Sequence, residues 1–143
     1  MQVGNDALTF SNSYQNEVKV THYSNPTDNL TMTKTDLQPL QKNLFWFSLV
    51  NYRNQKIMMT GGRNDAGVTS RETHFFNLEN GQWEEQKEPD LNQGRIDHGS
   101  CIIGYKVYVV CGYDYKKGYL DSIEVLDMAL ERKIDILGVK QGR

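Results

Sequence analysis

The side chains able to do acid–base, metal or redox chemistry are few in this chain, and they are scattered. His22, His74 and His98 lie far apart, with no cysteine–histidine cluster at the spacing of a zinc site. Cys101 and Cys111 flank a tight turn at Gly104-Tyr105. Antiparallel pairing about that turn sets Cys101 opposite roughly position 108, so the two thiols do not face each other as a disulfide requires. A general base needs a proton donor within hydrogen-bond reach. The sequence places neither a nucleophile nor a carboxylate beside His98, which is expected to be a structural histidine bonded to backbone. The expectation is no catalytic residue, no metal and no cofactor.

Recognition chemistry is better represented. Arginine and tyrosine are enriched among interface hot spots because they join large contact area to directional hydrogen bonds. Arg63 and Asn64 follow Gly61-Gly62, and Tyr113, Asp114, Tyr115 and Lys116 follow Cys111-Gly112, so these six are the candidate partner-binding residues. Lys116-Lys117 is too short a basic run to seat a polyanion. Asn29-Leu30-Thr31 fits a glycosylation sequon and reads as incidental without secretion.

The elements that position these residues come from a repeat. Lys56-Ile57-Met58-Met59-Thr60 before Gly61-Gly62 returns as Lys106-Val107-Tyr108-Val109-Val110 before Cys111-Gly112. At the same offset Thr73-His74-Phe75-Phe76-Asn77 matches Ile123-Glu124-Val125-Leu126-Asp127. A period near fifty residues marks a repeat architecture. Short runs with alternating or continuous apolar residues, separated by turn residues, read as β-strands. Each full unit therefore reads as four antiparallel strands, a to d. In the first they fall at 45–51, 56–60, 72–78 and 82–86; in the second at 99–103, 106–110, 121–127 and 131–136. Residues 18–23 and 30–33 fit the last two strands, c and d, of an earlier unit. Asn80-Gly81 reads as a two-residue hairpin turn. Lys34 to Asn43, with Pro39, and Lys87 to Gln93, with Pro89, read as polar links between units.

Bulk properties narrow the function classes. The 143 residues carry 16 basic and 18 acidic side chains, a net charge of −2, with no basic stripe for nucleic acid or anionic lipid. The longest apolar run, Leu44 to Val50, is far short of the roughly 20 residues of a membrane helix. The polar start, Met1 to Asp6, lacks the pattern of a secretory signal. The chain is expected to be soluble and cytoplasmic, with no nucleic-acid or membrane partner.

The segment from Arg95-Ile96-Asp97-His98 through Tyr108-Val109-Val110-Cys111-Gly112 to Val125-Leu126-Asp127 resembles a kelch repeat, and Gly61-Gly62, Phe76-Asn77 and Trp83 supply further parts of the pattern. Cys111 stands where the first glycine of the pair belongs, Met58 matches Tyr108, and Leu30 and Lys133 fill the tryptophan slot. The resemblance implies an all-β fold, a kelch-like β-propeller whose blades are four-stranded sheets. It implies structural roles for Gly61, Gly62, Trp83, Arg95, His98, Tyr108 and Gly112. Trp83 is expected between neighbouring blades with its indole N–H bonded, and Tyr108 in similar work nearer the channel. Residues 1–143 then form one partial propeller of about two and a half blades: 17–34 the end of one, 44–86 a second and 95–137 a third.

Closed propellers need 4–8 blades, so both terminal units are expected to expose apolar faces. The chain is then a fragment, or copies self-assemble to complete the ring, or the open ring docks on another protein. Most kelch propellers bind proteins, which implies a protein or peptide partner such as a ubiquitin-ligase substrate or a cytoskeletal protein. The b–c and d–a loops of an antiparallel blade emerge at one end, which makes that end the expected binding face. The alternative class is a piece of a kelch-like enzyme, of the copper-radical oxidase or sugar isomerase type, which would need tyrosines and histidines converging on the axis.

Overall fold

The computed structural model of the chain describes residues 1–3, 6–13, 15–24, 32–85, 90–129 and 132–136. Among these, strands form three four-stranded antiparallel sheets and one two-stranded ladder. The first sheet runs β1 (Gln2–Val3), β2 (Asp6–Asn12), β3 (Val18–Ser24), β4 (Thr33–Leu40) in spatial order. The second runs β5 (Ser48–Tyr52), β6 (Lys56–Thr60), β7 (Thr73–Asn77), β8 (Gln82–Trp83). In the third, β9 (Gly99–Ile103) and β10 (Lys106–Val110) are followed by the small ladder of β11 (Tyr113–Asp114) and β12 (Gly118–Tyr119), then by β13 (Ile123–Asp127) and β14 (Arg132–Ile136). Its spatial order is β9, β10, β13, β14. The fold is all-β, three kelch-like blades of a partial propeller.

The repeat appears as matched register. Met58 pairs with Val50 and Phe75, and Tyr108 pairs with Cys101 and Val125. Both thiols are free, and Cys101 faces position 108 as the turn requires.

Period-two alternation then decides what each side chain packs against. On the middle sheet Ile57, Met59, Leu49 and Phe76 face the first sheet, where they meet Leu8, Phe10, Val18, Val20 and Leu37. Met58, Val50 and Tyr52 face the third, where they meet Val107, Val109 and Leu126, with Leu91 from the connecting loop. Covered on both sides, β6 is apolar from Ile57 to Met59, as strands buried on both faces are. Ile57, Met58 and Met59 are each at most 1% exposed. Burial of such side chains contributes about 1.5–3 kcal/mol apiece, so most of the stability lies between sheets.

Trp83 sits in the first of these interfaces. Its ring meets Phe10 and Phe76 edge-on, and its indole N–H donates to the Gln38 carbonyl of the first sheet at 3.1 Å.

The first unit differs from expectation. It is a full four-stranded sheet from residue 2 to 40, and the strand placed at 30–33 lies instead at Thr33–Leu40. Residues 30 and 31 are outside the described residues, as are the sequon and Pro89. Most of Lys34 to Asn43 is thus strand, not link. β4 is an edge strand, largely exposed, so its polar sequence carries no apolar period. Pro39 is accommodated where the register slips between Val18 and Val20, since an edge strand at a bulge does not need every N–H.

The outer faces also differ from each other. The first sheet's outer face carries Thr9, Lys19, Thr21 and Asp36. Lys19 pairs with Asp36 at 3.2 Å, and Thr21 donates to the same carboxylate. That is a polar cap, not the apolar face expected of a terminal unit. The third sheet's outer face carries Cys101, Ile103, Tyr108, Val110 and Val125, with Lys106 and Asp127 at its edge, and Ile103 is 65% exposed. Cys101, Ile103, Tyr108 and Val110 are the register equivalents of Val50, Tyr52, Met58 and Thr60, which the third sheet covers in the second. Tyr108 accordingly lies half-buried on a face that no further sheet covers among the described residues.

Candidate partner-binding site

The b–c and d–a loops meet at one end of the sheets. Phe45, in the loop entering the second sheet, exchanges backbone hydrogen bonds of 2.9 and 2.7 Å with Arg63, just past β6. Ile96, entering the third sheet, does the same with Tyr113, both at 2.9 Å. The opposite end carries the a–b and c–d turns, where Arg53 stacks 4.5 Å over Tyr105.

Close backbone approach is what the glycine pairs provide. The Gly62 N–H donates to the Arg95 carbonyl at 2.9 Å, which ties the loop of one sheet to the approach of the next. A Cβ on Gly61 would lie 2.5 Å from that carbonyl, and both residues have positive φ. Cys111, the counterpart of Gly61, holds the same left-handed conformation at φ 57° without glycine's freedom.

Arg95 is fully buried. Its guanidinium donates to the Cys111 carbonyl at 2.6 Å, the Ser122 hydroxyl at 3.1 Å and Glu124 Oε2 at 2.7 Å. Glu124 also accepts from the Asn92 and Gln93 amides, so the buried pair is saturated. This cluster clamps the starts of β13 and the loop after β10 to the incoming chain. His98 stands between Gly61 and Gly112. Its Nε2 is 2.8 Å from the Thr60 hydroxyl, a side chain rather than the backbone partner expected, and its Nδ1 has no partner among the described residues. Burial and the neighbouring Arg95 charge hold its pKa down at about 4.

Above this frame lies an open cleft of about 720 Å³. Trp46, Tyr113, Tyr115 and Tyr119 line it, together with Asp97 and Gly112. The Tyr113 ring meets Tyr115 at 5.8 Å and 86°, and Tyr119 at 5.2 Å and 72°. Tyr113 and Tyr119 are cross-strand partners in the β11–β12 ladder, which is what holds two rings on one face. Trp46 and Asp97 occupy matched positions, one residue after Phe45 and Ile96, and both have positive φ. That backbone turn aims each side chain outward; Trp46 is 53% exposed.

Of the six candidate binding residues, Tyr113 and Tyr115 line the cleft. Arg63 lies over the Trp46 ring at 5.7 Å. Lys116 is exposed in the turn between β11 and β12. Asn64 and Asp114 do other work. The Asn64 side chain accepts the Val68 amide and closes its own loop, and the buried Asp114 carboxylate accepts the Thr69 hydroxyl of the neighbouring loop. Sequence reasoning missed Trp46, Tyr119 and Asp97. Trp46 was assigned to a buried strand because Phe45 to Val50 is nearly continuous in apolar residues, whereas β5 starts at Ser48. Its repeat equivalence with Asp97, a polar residue, is the signal that could have placed it outside.

Among the described residues no group of histidine, cysteine, aspartate or glutamate has metal-binding geometry, and no helix is long and apolar enough to cross a membrane. A search of curated proteins returned no match to the chain. The family model described as the kelch motif matches residues 94–130, the stretch that holds Arg95, His98, β9, β10, Gly112 and β13. The matched stretch is a kelch motif, and the middle sheet repeats its strand register.

Proposed function

We propose that the chain is a non-enzymatic interaction module that binds a protein or peptide segment through the end formed by its b–c and d–a loops. The observation that carries this reading is the exposed aromatic cluster there: Trp46 at 53%, Tyr115 at 47% and Tyr119 at 92% exposure around one open cleft. Tyrosine and tryptophan give large rigid contact area at low entropic cost and keep a polar tip for water, as binding surfaces require. Rigid sheets beneath mobile-sequence loops are the usual support for such a face. Cytoplasmic residence fits the two free cysteines, since thiols persist in reducing compartments. A ubiquitin-ligase substrate or a cytoskeletal protein is the partner class the family suggests.

The test is selection of displayed peptides on the immobilised chain, followed by substitution of Arg63 and Tyr115 by alanine. Binding should fall with the β-sheet circular dichroism unchanged. Undiminished binding by the folded variant would remove the site assignment.

A further inference from the structure

The cleft has a chemistry more specific than its aromatic content. Three tyrosine rings, with Tyr113 edge-on to both Tyr115 and Tyr119, and one indole form its walls. Asp97 is the charged side chain that lines it, and Asp97 is exposed. The basic neighbours do not line it. The Arg63 guanidinium lies on the Trp46 ring, and Lys117 Nζ donates to Gln93 Oε1 at 2.5 Å. Lys116 does not line the cleft. Aromatic faces carry partial negative charge, and several of them around one volume attract a soft, weakly hydrated cation; a carboxylate at the rim adds a full negative charge. An acidic ligand would meet the same faces and Asp97 as repulsion.

We propose that this cleft is a cation seat that takes an ammonium-type side chain, a lysine or its methylated forms, presented by the bound protein segment. The proposal rests on the loop-face reading above and names the ligand class for it.

The chain has two tryptophans, so its two indole N–H signals in a proton–nitrogen correlation spectrum report two places. Trp46 stands at the cleft, and Trp83, packed between the first two sheets, is the internal reference. The full chain is titrated with choline, with its uncharged carbon isostere 3,3-dimethylbutanol, and with the tripeptides acetyl-Gly-Lys-Gly-amide and acetyl-Gly-Glu-Gly-amide. The expected result is a saturable shift of the Trp46 signal with choline and the lysine peptide, at unmoved Trp83, and none with the isostere or the glutamate peptide. Asp97→Asn and Tyr119→Ala, both changes at exposed side chains, should each weaken the effect about two- to fivefold. A shift with choline but not the lysine peptide keeps the cation seat and makes its source a free ammonium compound, which removes this support from the peptide-binding reading. No selective shift with either cation overturns the cation seat. If the glutamate peptide then moves Trp46, the loop-face reading survives without it; if nothing does, both fall.

Discussion

Lowering the pH should unfold this protein through His98. The ring is 9% exposed, and burial with the adjacent Arg95 charge lowers its pKa from 6.5 to about 4 in the folded chain. The unfolded chain keeps a value near 6.5. Below that value the unfolded state binds a proton that the folded state refuses, so stability falls as pH falls from 6.5 toward 4. Linkage over the two values gives a loss of about 2 kcal/mol between pH 7 and pH 5, and about 3 kcal/mol once pH drops below 4. His74, also buried and with a lowered pKa, acts in the same direction. For a domain of this size 2 kcal/mol corresponds to about 4–8 °C in Tm. The assay is urea unfolding at pH 7 and pH 5 for the wild type and His98→Asn. The variant should start less stable, having lost the Thr60 bond, yet lose about 2 kcal/mol less between the two pH values. The reasoning is refuted if the His98 ring titrates near 6.5 in the folded protein, or if both chains lose the same stability.

Four substitutions in and above the frame of the site have expected outcomes. Gly61→Ala sets a Cβ 2.5 Å from the Arg95 carbonyl at a φ of +64° and should destabilise by roughly 2 kcal/mol or more, whereas Cys111→Gly should stabilise by about 0.5–1 kcal/mol, both read from denaturation midpoints. Arg95→Ala leaves Glu124 buried and uncompensated at a cost of about 3–5 kcal/mol, and adding Glu124→Gln should restore part of it. Tyr119→Ala, at a 92% exposed side chain, should leave the midpoint within about 0.5 kcal/mol and so separates binding effects from folding effects.

The sheets in the middle and at the C-terminal side were legible because their strands are buried by neighbours. Lys56–Thr60 and Lys106–Val110 fall on β6 and β10 residue for residue, and the matches at 73–77 and 123–127 are β7 and β13. What hid was what no neighbour covers. β4 is exposed and polar, and β2 shows only Leu8 and Phe10 as an alternation, so half of the first sheet carried little signal. The Asn80-Gly81 turn is a four-residue loop between Asn77 and Gln82 in which Gly81 alone has positive φ, because the Asn77 side chain takes the Glu79 and Asn80 amides.

At the site, the loops and two of the tyrosines were readable from the repeat. Trp46 was not, because its outward turn depends on a left-handed backbone that an apolar run conceals. The loop bonds of Asn64 and Asp114 were hidden for a related reason. Short polar side chains in loops bond their own or the adjoining loop as readily as a partner.

Comparing binding at the two ends of the molecule tests most directly whether function resides at the b–c and d–a loop end. A peptide selected on the wild-type chain is measured by titration against Tyr119→Ala at that end and Tyr105→Ala at the opposite end, where Tyr105 is 53% exposed. The predicted result is a loss of affinity of at least about fivefold for Tyr119→Ala with Tyr105→Ala equal to wild type. The reverse pattern, or equal affinity for all three, would contradict it.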